Sequence, residues 1–297
     1  MRLVGFRGGA RLAGVLAYLL VVWLPSAAAD DDIVKRGAYV TRAAGCVSCH
    51  TDKKGKGALF AGGRALETPF GTFYSPNITP DKATGIGAWT DADFLRALKK
   101  GVAPDGSHYF PVFPYTSYTL MHDQDALAIK AYLFSVAPVS KQNRDHDVAP
   151  PFGWRWPMRF WNLMFFDEGD FAADPAQDDE WNRGTYLATA LAHCGECHTP
   201  RNAAGALNRD LWMAGTEDGP EGDAVPNITP AHATGIGWSI DQLTFFLKSG
   251  TKPDWDVAGG VMGEAVEDGY KYLTDADRRA LARYINMLPA IENHIGG

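Results

Sequence analysis

Apolar and polar positions recur with helical spacing over six stretches and nowhere alternate as a strand of any length would. Ile33 to Ala44 and Trp181 to His193 read as leading helices. Thr90-Asp91-Ala92-Asp93 opens a second helix running to about Lys100, and Ser239 opens a matching one. Asp123 to Phe134 and Thr274 to Leu288 read as amphipathic closing helices, and Thr274-x-x-Asp277 resembles a capping box. Ahead of these, Arg2, Arg7 and Arg11 precede an apolar run from Leu12 to Leu24. The small residues Pro25-Ser26-Ala27-Ala28-Ala29 follow it. This order predicts a signal peptide over residues 1–29, because thirteen apolar residues are short of the roughly 20 that span a bilayer. An exported, periplasmic protein is therefore expected, with the same segment kept as an anchor as the rival.

The helical pattern is written twice. Pro76-Asn77-Ile78-Thr79-Pro80 returns as Pro226-Asn227-Ile228-Thr229-Pro230, and Ala83-Thr84-Gly85-Ile86-Gly87 as Ala233-Thr234-Gly235-Ile236-Gly237. Arg36-Gly37-Ala38-Tyr39 matches Arg183-Gly184-Thr185-Tyr186. A tandem duplication is expected, with domains at 30–142 and 181–297 and a linker over 143–180. Gly37 and Gly184 are placed to let each closing helix approach closely at Tyr132 and Tyr284. The fold class expected from this pattern is mainly α, two tandem domains of like build.

All four cysteines fall at one matched place, Cys46-Val47-Ser48-Cys49-His50 and Cys194-Gly195-Glu196-Cys197-His198. Cys-x-x-Cys-His is the haem c attachment pattern. Two thiols add to the vinyl groups on one porphyrin edge, and the adjacent histidine ligates iron from beneath. A zinc site or a pair of disulfides leaves both histidines unexplained. Two covalently bound haem c groups are thus expected, on Cys46, Cys49, Cys194 and Cys197, with His50 and His198 as proximal ligands. Elimination among seven methionines gives the distal ligands. Met1 leaves with the signal, Met158 and Met164 lie in the linker, Met213 follows His198 too closely, and Met287 sits within the last helix. Met121 and Met262 remain, the latter in the turn Gly259 to Gly263. His108 and His122, and His232 in the second copy, are the rivals. Candidate donors to the haem propionates are Arg64, Asn77, Thr79 and Trp89, then Arg201, Asn227, Thr229 and Trp238. A self-capped polar turn is the competing account of the Asn-Ile-Thr-Pro loops.

Composition narrows the partners. The 297 residues carry 46% hydrophobic and 21% charged side chains and a net charge of −7. Loss of residues 1–29 removes three arginines and no acid. No basic run of nucleic-acid type exists, so a nucleic-acid partner is not expected. The linker crowds Trp154, Trp156, Phe160, Trp161, Leu163, Met164, Phe165 and Phe166 together. These either fill a seam between the domains or face outward to dock a dehydrogenase or a membrane surface.

The chain resembles the cytochrome c subunits of membrane-bound bacterial alcohol, aldehyde and sugar-acid dehydrogenases. The resemblance is carried by both Cys-x-x-Cys-His motifs, by Ser75 to Pro80 with Thr84 to Gly87, by Pro114-Tyr115-Thr116-Ser117-Tyr118, by Trp161 to Phe166, and by Glu180 to Asn202. It implies class I cytochrome c domains relaying electrons from a dehydrogenase to a cytochrome, an oxidase or a quinone-linked acceptor, with peripheral membrane association. Many such subunits carry three haem motifs, and this sequence has two. Where they have Pro-x-Met-Pro this chain has Pro111-Val112-Phe113-Pro114, so Phe113 cannot ligate and the expectation falls on Met121. An electron carrier, not an enzyme, is expected; the alternative is a dihaem peroxidase.

Overall fold

The computed structural model describes Met1 and residues 27–295. The expected signal peptide lies almost wholly outside the described residues. In the first half the chain runs through α1 (Ala27–Ala43), α2 (Cys46–His50), β1 (Ala65–Thr68), β2 (Gly71–Tyr74), α3 (Asp91–Lys100), α4 (Tyr115–Tyr118) and α5 (Asp123–Ser135). The connecting stretch carries α6 (Met158–Phe165). The second half has α7 (Asp179–Tyr186), α8 (Cys194–His198), α9 (Ile240–Ser249), α10 (Gly260–Asp268) and α11 (Asp275–Asn286). No helix among the described residues is long and apolar enough to cross a membrane.

Three helices start where the sequence places them, after Thr90, Ser239 and Thr274, whereas the leading helices begin earlier than expected, at Ala27 and Asp179. Thr90 and Ser239 each close a reciprocal capping box on Asp93 and Gln242. Thr274 accepts from the Asp277 N–H, but the Asp277 carboxylate turns away to Arg183 and Tyr39, so only half of the expected box exists. The antiparallel hairpin β1–β2 is a departure from the strand-free expectation. Its four-residue strands are too short to print an alternation.

In each half the leading helix crosses the closing helix at a glycine. A Cβ on Gly37 would lie 1.9 Å from the Ala128 carbonyl oxygen, and one on Gly184 2.0 Å from that of Ala280. The obstacle is backbone in both cases, so no rotamer relieves it. Tyr132 and Tyr284 supply the next contacts, as expected. The repeat register also has a local cause. Tyr39 and Tyr186 match at a spacing of 147 residues, whereas the cysteines match at 148. Between them the second copy runs through a π-helical turn, Leu187–Leu191. A π turn holds one extra residue per helical turn, so the added residue is absorbed before the motif.

The halves face each other about a local pseudo-two-fold axis. The Tyr39 hydroxyl donates to Asp277 at 2.6 Å, and the matched Tyr186 hydroxyl donates to Asp125 at 2.7 Å. Each acid also holds the arginine of its own half, Arg183 or Arg36. Lys53 pairs with Asp268, and Thr116 and Ser117 both donate to Glu196 at 2.7 Å. One apolar core runs across the seam, from Val40, Phe60 and Leu133 to Leu187, Leu247 and Leu281.

The linker does both things its composition allows. Trp161 is buried against Tyr115 and Ala206, its indole N–H donating to the Ala204 carbonyl at 2.8 Å. Trp154, Trp156, Phe160, Leu163 and Met164 point outward, with Trp154 stacked on Trp156.

Candidate haem sites

Each attachment motif begins at a residue in left-handed conformation, Gly45 (φ 67°) and His193 (φ 41°), which turns the chain sharply into α2 or α8. One helical turn then sets the two cysteines and the histidine on one side. The four thiols form no disulfide, and no metal-binding cluster of His, Cys, Asp and Glu exists among the described residues. Burial and a neighbouring thiol push Cys46 up to about 12, burial and other charges do the same at Cys194 and Cys197, and burial raises Cys49. Burial thus disfavours the thiolate form that a zinc site would need.

The histidines are fixed by an unexpected partner. His50 Nδ1 lies 2.8 Å from the Pro76 carbonyl oxygen, and His198 Nδ1 lies 2.9 Å from that of Pro226. A carbonyl only accepts, so Nδ1 carries the proton and the lone pair is left on Nε2. Burial lowers both imidazole pKa values and keeps the rings neutral, as iron ligation requires. The first proline of each Pro-Asn-Ile-Thr-Pro loop therefore orients the proximal histidine. The residues present fit a covalent haem in each half.

The same loops form self-capped polar turns. Asn77 Oδ1 accepts from the Thr79 N–H and hydroxyl, and its amide donates to the Val139 carbonyl at 2.7 Å. Asn227, Thr229 and the Ile291 carbonyl repeat this arrangement. All four side chains are buried, and they staple the segment after the closing helix to the loop. Arg64 is spent on the Ser48 carbonyl, Glu264 and Glu221, and Arg201 on Glu196 and the Gly205 carbonyl. Asn77, Thr79, Asn227, Thr229, Arg64 and Arg201 are thus engaged by the protein itself. Of the candidate donors, the indole N–H groups of Trp89 and Trp238 alone make no hydrogen bond among the described residues. A cleft in the second half is lined by Ile228, Ile236, Trp238, Leu243 and Ile285.

The two candidate methionines do not occupy matching places. Tyr118 and Tyr270 match, each bonding the carbonyl two residues before its motif, Ala44 and Ala192. Counting on from them pairs Met121 with Leu273, both buried just before the closing helix. Counting on from the bridges Val102–His108 and Thr251–Val257 pairs Met262 with Phe113. Met262 sits in the first turn of α10, not in an irregular turn as expected, and is partly exposed, while Met121 is wholly enclosed. Of the rival histidines, His108 bonds Asn162, His122 stacks on Tyr186 with ring centroids 4.6 Å apart, and His232 is exposed.

Sequence reasoning missed His193. It packs edge-on against Tyr118 from the other half, and its Nε2 lies 3.6 Å from where a Cβ on Gly45 would be. The only signal was the contrast of Gly with His at matched positions before the motifs.

The cytochrome c family profile matches residues 34–137 and again 182–289. The chain belongs to the cytochrome c family. It is 44% identical over 266 residues to a diheme cytochrome c-type protein of Cereibacter sphaeroides, covering 86% of each chain. It is 41% identical to the gluconate 2-dehydrogenase cytochrome c subunit of Pantoea cypripedii, covering 94% of this chain and 65% of that one. It is 40% identical to the cytochrome c subunit of a quinone alcohol dehydrogenase of Gluconacetobacter polyoxogenes, covering 89% of this chain and 57% of that one. The chain thus spans about two thirds and just over half of the length of the latter two. The mainly helical two-domain cytochrome c fold, the two covalent haem c groups and an electron-transfer role follow. The peroxidase alternative finds no support among these relatives.

Proposed function

We propose that this cytochrome c is the exported electron relay of a dehydrogenase, taking electrons from that enzyme and passing them to a downstream cytochrome, oxidase or quinone-linked acceptor. The haem groups supply reversible one-electron chemistry when bound. The chain holds them through Cys46, Cys49, Cys194 and Cys197 and fixes the proximal faces through His50 and His198. The observation that carries the reading is the duplicated Nδ1–H to proline carbonyl bond, which presents Nε2 to an iron in each half. Met262 is the distal ligand of the second haem. Met121 is the distal ligand of the first, and its pairing with Leu273 supplies a clean test. The mature chain starts near Asp30, the domains run over 30–142 and 181–297 around a linker at 143–180, and the protein works in the periplasm, with the outward aromatic face of the linker available for the dehydrogenase or a membrane surface.

The test is the mass and spectrum of protein purified from a haem-maturing host. A mass of the chain from Asp30 plus two haems is expected, with two methionine-to-iron charge-transfer bands. Met262→Leu should remove one band. Met121→Leu, which installs the residue of the second copy without loss of volume, should remove the other. Survival of both bands in Met121→Leu refutes that ligand, and an apo mass refutes the relay.

A further inference from the structure

The turn after the middle helix is built identically in both halves. The Ala103 N–H bonds the Ser107 carbonyl and the Gly106 N–H bonds that of Ala103; Lys252, Asp256 and Trp255 repeat both bonds. A third turn of this kind, at 202–206, places Gly205 at the same position. That position is left-handed in all three, with φ of 85° at Gly106, 78° at Gly205 and 69° at Trp255. Two turns use glycine, which adopts this conformation freely. The turn after the middle helix of the second half puts there a tryptophan that is 82% exposed, beside Val257, which is 63% exposed. A strained backbone and a bare indole both disfavour the isolated protein.

The first half shows what covers such a turn. Arg155 of the linker donates to Ser107 and lies over Tyr109, and Asn162 of α6 bonds His108. In the second half those positions are Asp256 and Val257, and no linker reaches them among the described residues. Asp254 and Asp256 precede and follow Trp255 in the chain and are exposed, the latter paired with Lys252 at 2.6 Å. The Asp223 carboxylate lies at the far end of the same segment, 3.4 Å from where a Cβ on Gly260 would be. The turn leads directly into α10, which carries Met262.

We infer that Trp255 is the anchor of a docking surface for a soluble electron-transfer protein, one whose own face has an apolar recess ringed by lysine or arginine. A single buried aromatic within a charged rim suits the small, short-lived interfaces of redox pairs. The acidic rim selects a basic partner and speeds its approach. This rests on the relay reading and names the partner of its second half.

The test uses the dihaem protein with a strongly basic mitochondrial-type cytochrome c as probe, and measures binding by calorimetry at low and high salt. The wild type should bind, more weakly as salt rises. Trp255→Gly, which restores the residue of the other two turns, should weaken binding at least tenfold. It should leave both haem spectra unchanged and the melting temperature no lower. Asp254→Asn with Asp256→Asn should flatten the salt dependence. No binding by the wild type, equal binding by Trp255→Gly, or a Trp255-dependent attachment to anionic vesicles or to a second copy of the chain overturns the inference. Intact haem spectra in each variant separate failure of the docking surface from failure of the relay.

Discussion

Tyr186→Phe removes one oxygen and tests the seam on which a fixed spacing of the two haem sites depends. The Tyr186 hydroxyl donates to Asp125 at 2.7 Å and accepts from the His122 N–H at 3.2 Å. Tyr186 and Asp125 are each 3% exposed. Water therefore cannot replace the lost donor, and the carboxylate keeps only Arg36. A hydrogen bond to a charged group contributes about 1.5–3 kcal/mol, and the freed N–H adds to the cost, so a loss of about 2–4 kcal/mol is expected. The aromatic stack on His122 and Phe171 survives in phenylalanine. The matched change, Tyr39→Phe, is an internal control. Its acceptor Asp277 is more open, with 13% of its side chain exposed, and retains two bonds from Arg183. About 1 kcal/mol is expected there. Guanidinium denaturation of the haem-loaded proteins, followed by circular dichroism, reads both. Equal losses in the two variants, or less than about 1 kcal/mol for Tyr186→Phe, would refute the reasoning from burial.

Gly184→Ala sets a Cβ against the Ala280 carbonyl and should cost about 3 kcal/mol through forced separation of α7 and α11, read as a fall in melting temperature; an unchanged melting temperature would show that the crossing is not tight. Burial by itself raises the Glu196 pKa, but the Arg201 charge and the bonds from Thr116, Ser117 and Arg201 outweigh it and leave the value lowered. A lowered carboxylate stabilises the fold above its ordinary value of 4.5, and that stability is lost as pH falls through the folded value. Glu196→Gln should therefore flatten the acid limb of the stability profile, and an acid limb identical to that of the wild type would assign it to other carboxylates.

The duplication, the helices and the attachment sites are legible in the sequence because each rests on local spacing. Cysteines two residues apart, a capping serine or threonine, and a recurring pentapeptide need no knowledge of the rest of the chain. The expectation of close helix crossings at Gly37 and Gly184 also follows from local character, since a residue without a side chain permits an approach that no other does.

What tertiary structure decided is who bonds whom. The Asn-Ile-Thr-Pro loops read as cofactor donors or as self-capped polar turns, and no local pattern shows that the chain brings Val139 and Ile291 onto them from more than sixty residues away. Arg64 reads as a free cation until Glu221 and Glu264 arrive from the other half. Met121 and Met262 look equivalent along the chain because both precede a closing helix. They separate once hydrogen bonds set the register, since α10 and the Pro111–Pro114 segment fill the same interval differently. Conformational preference is encoded within a few residues and can be read there. The choice among polar partners is made by whichever groups folding brings within about 3 Å and shuts away from water, and no linear pattern records that distance.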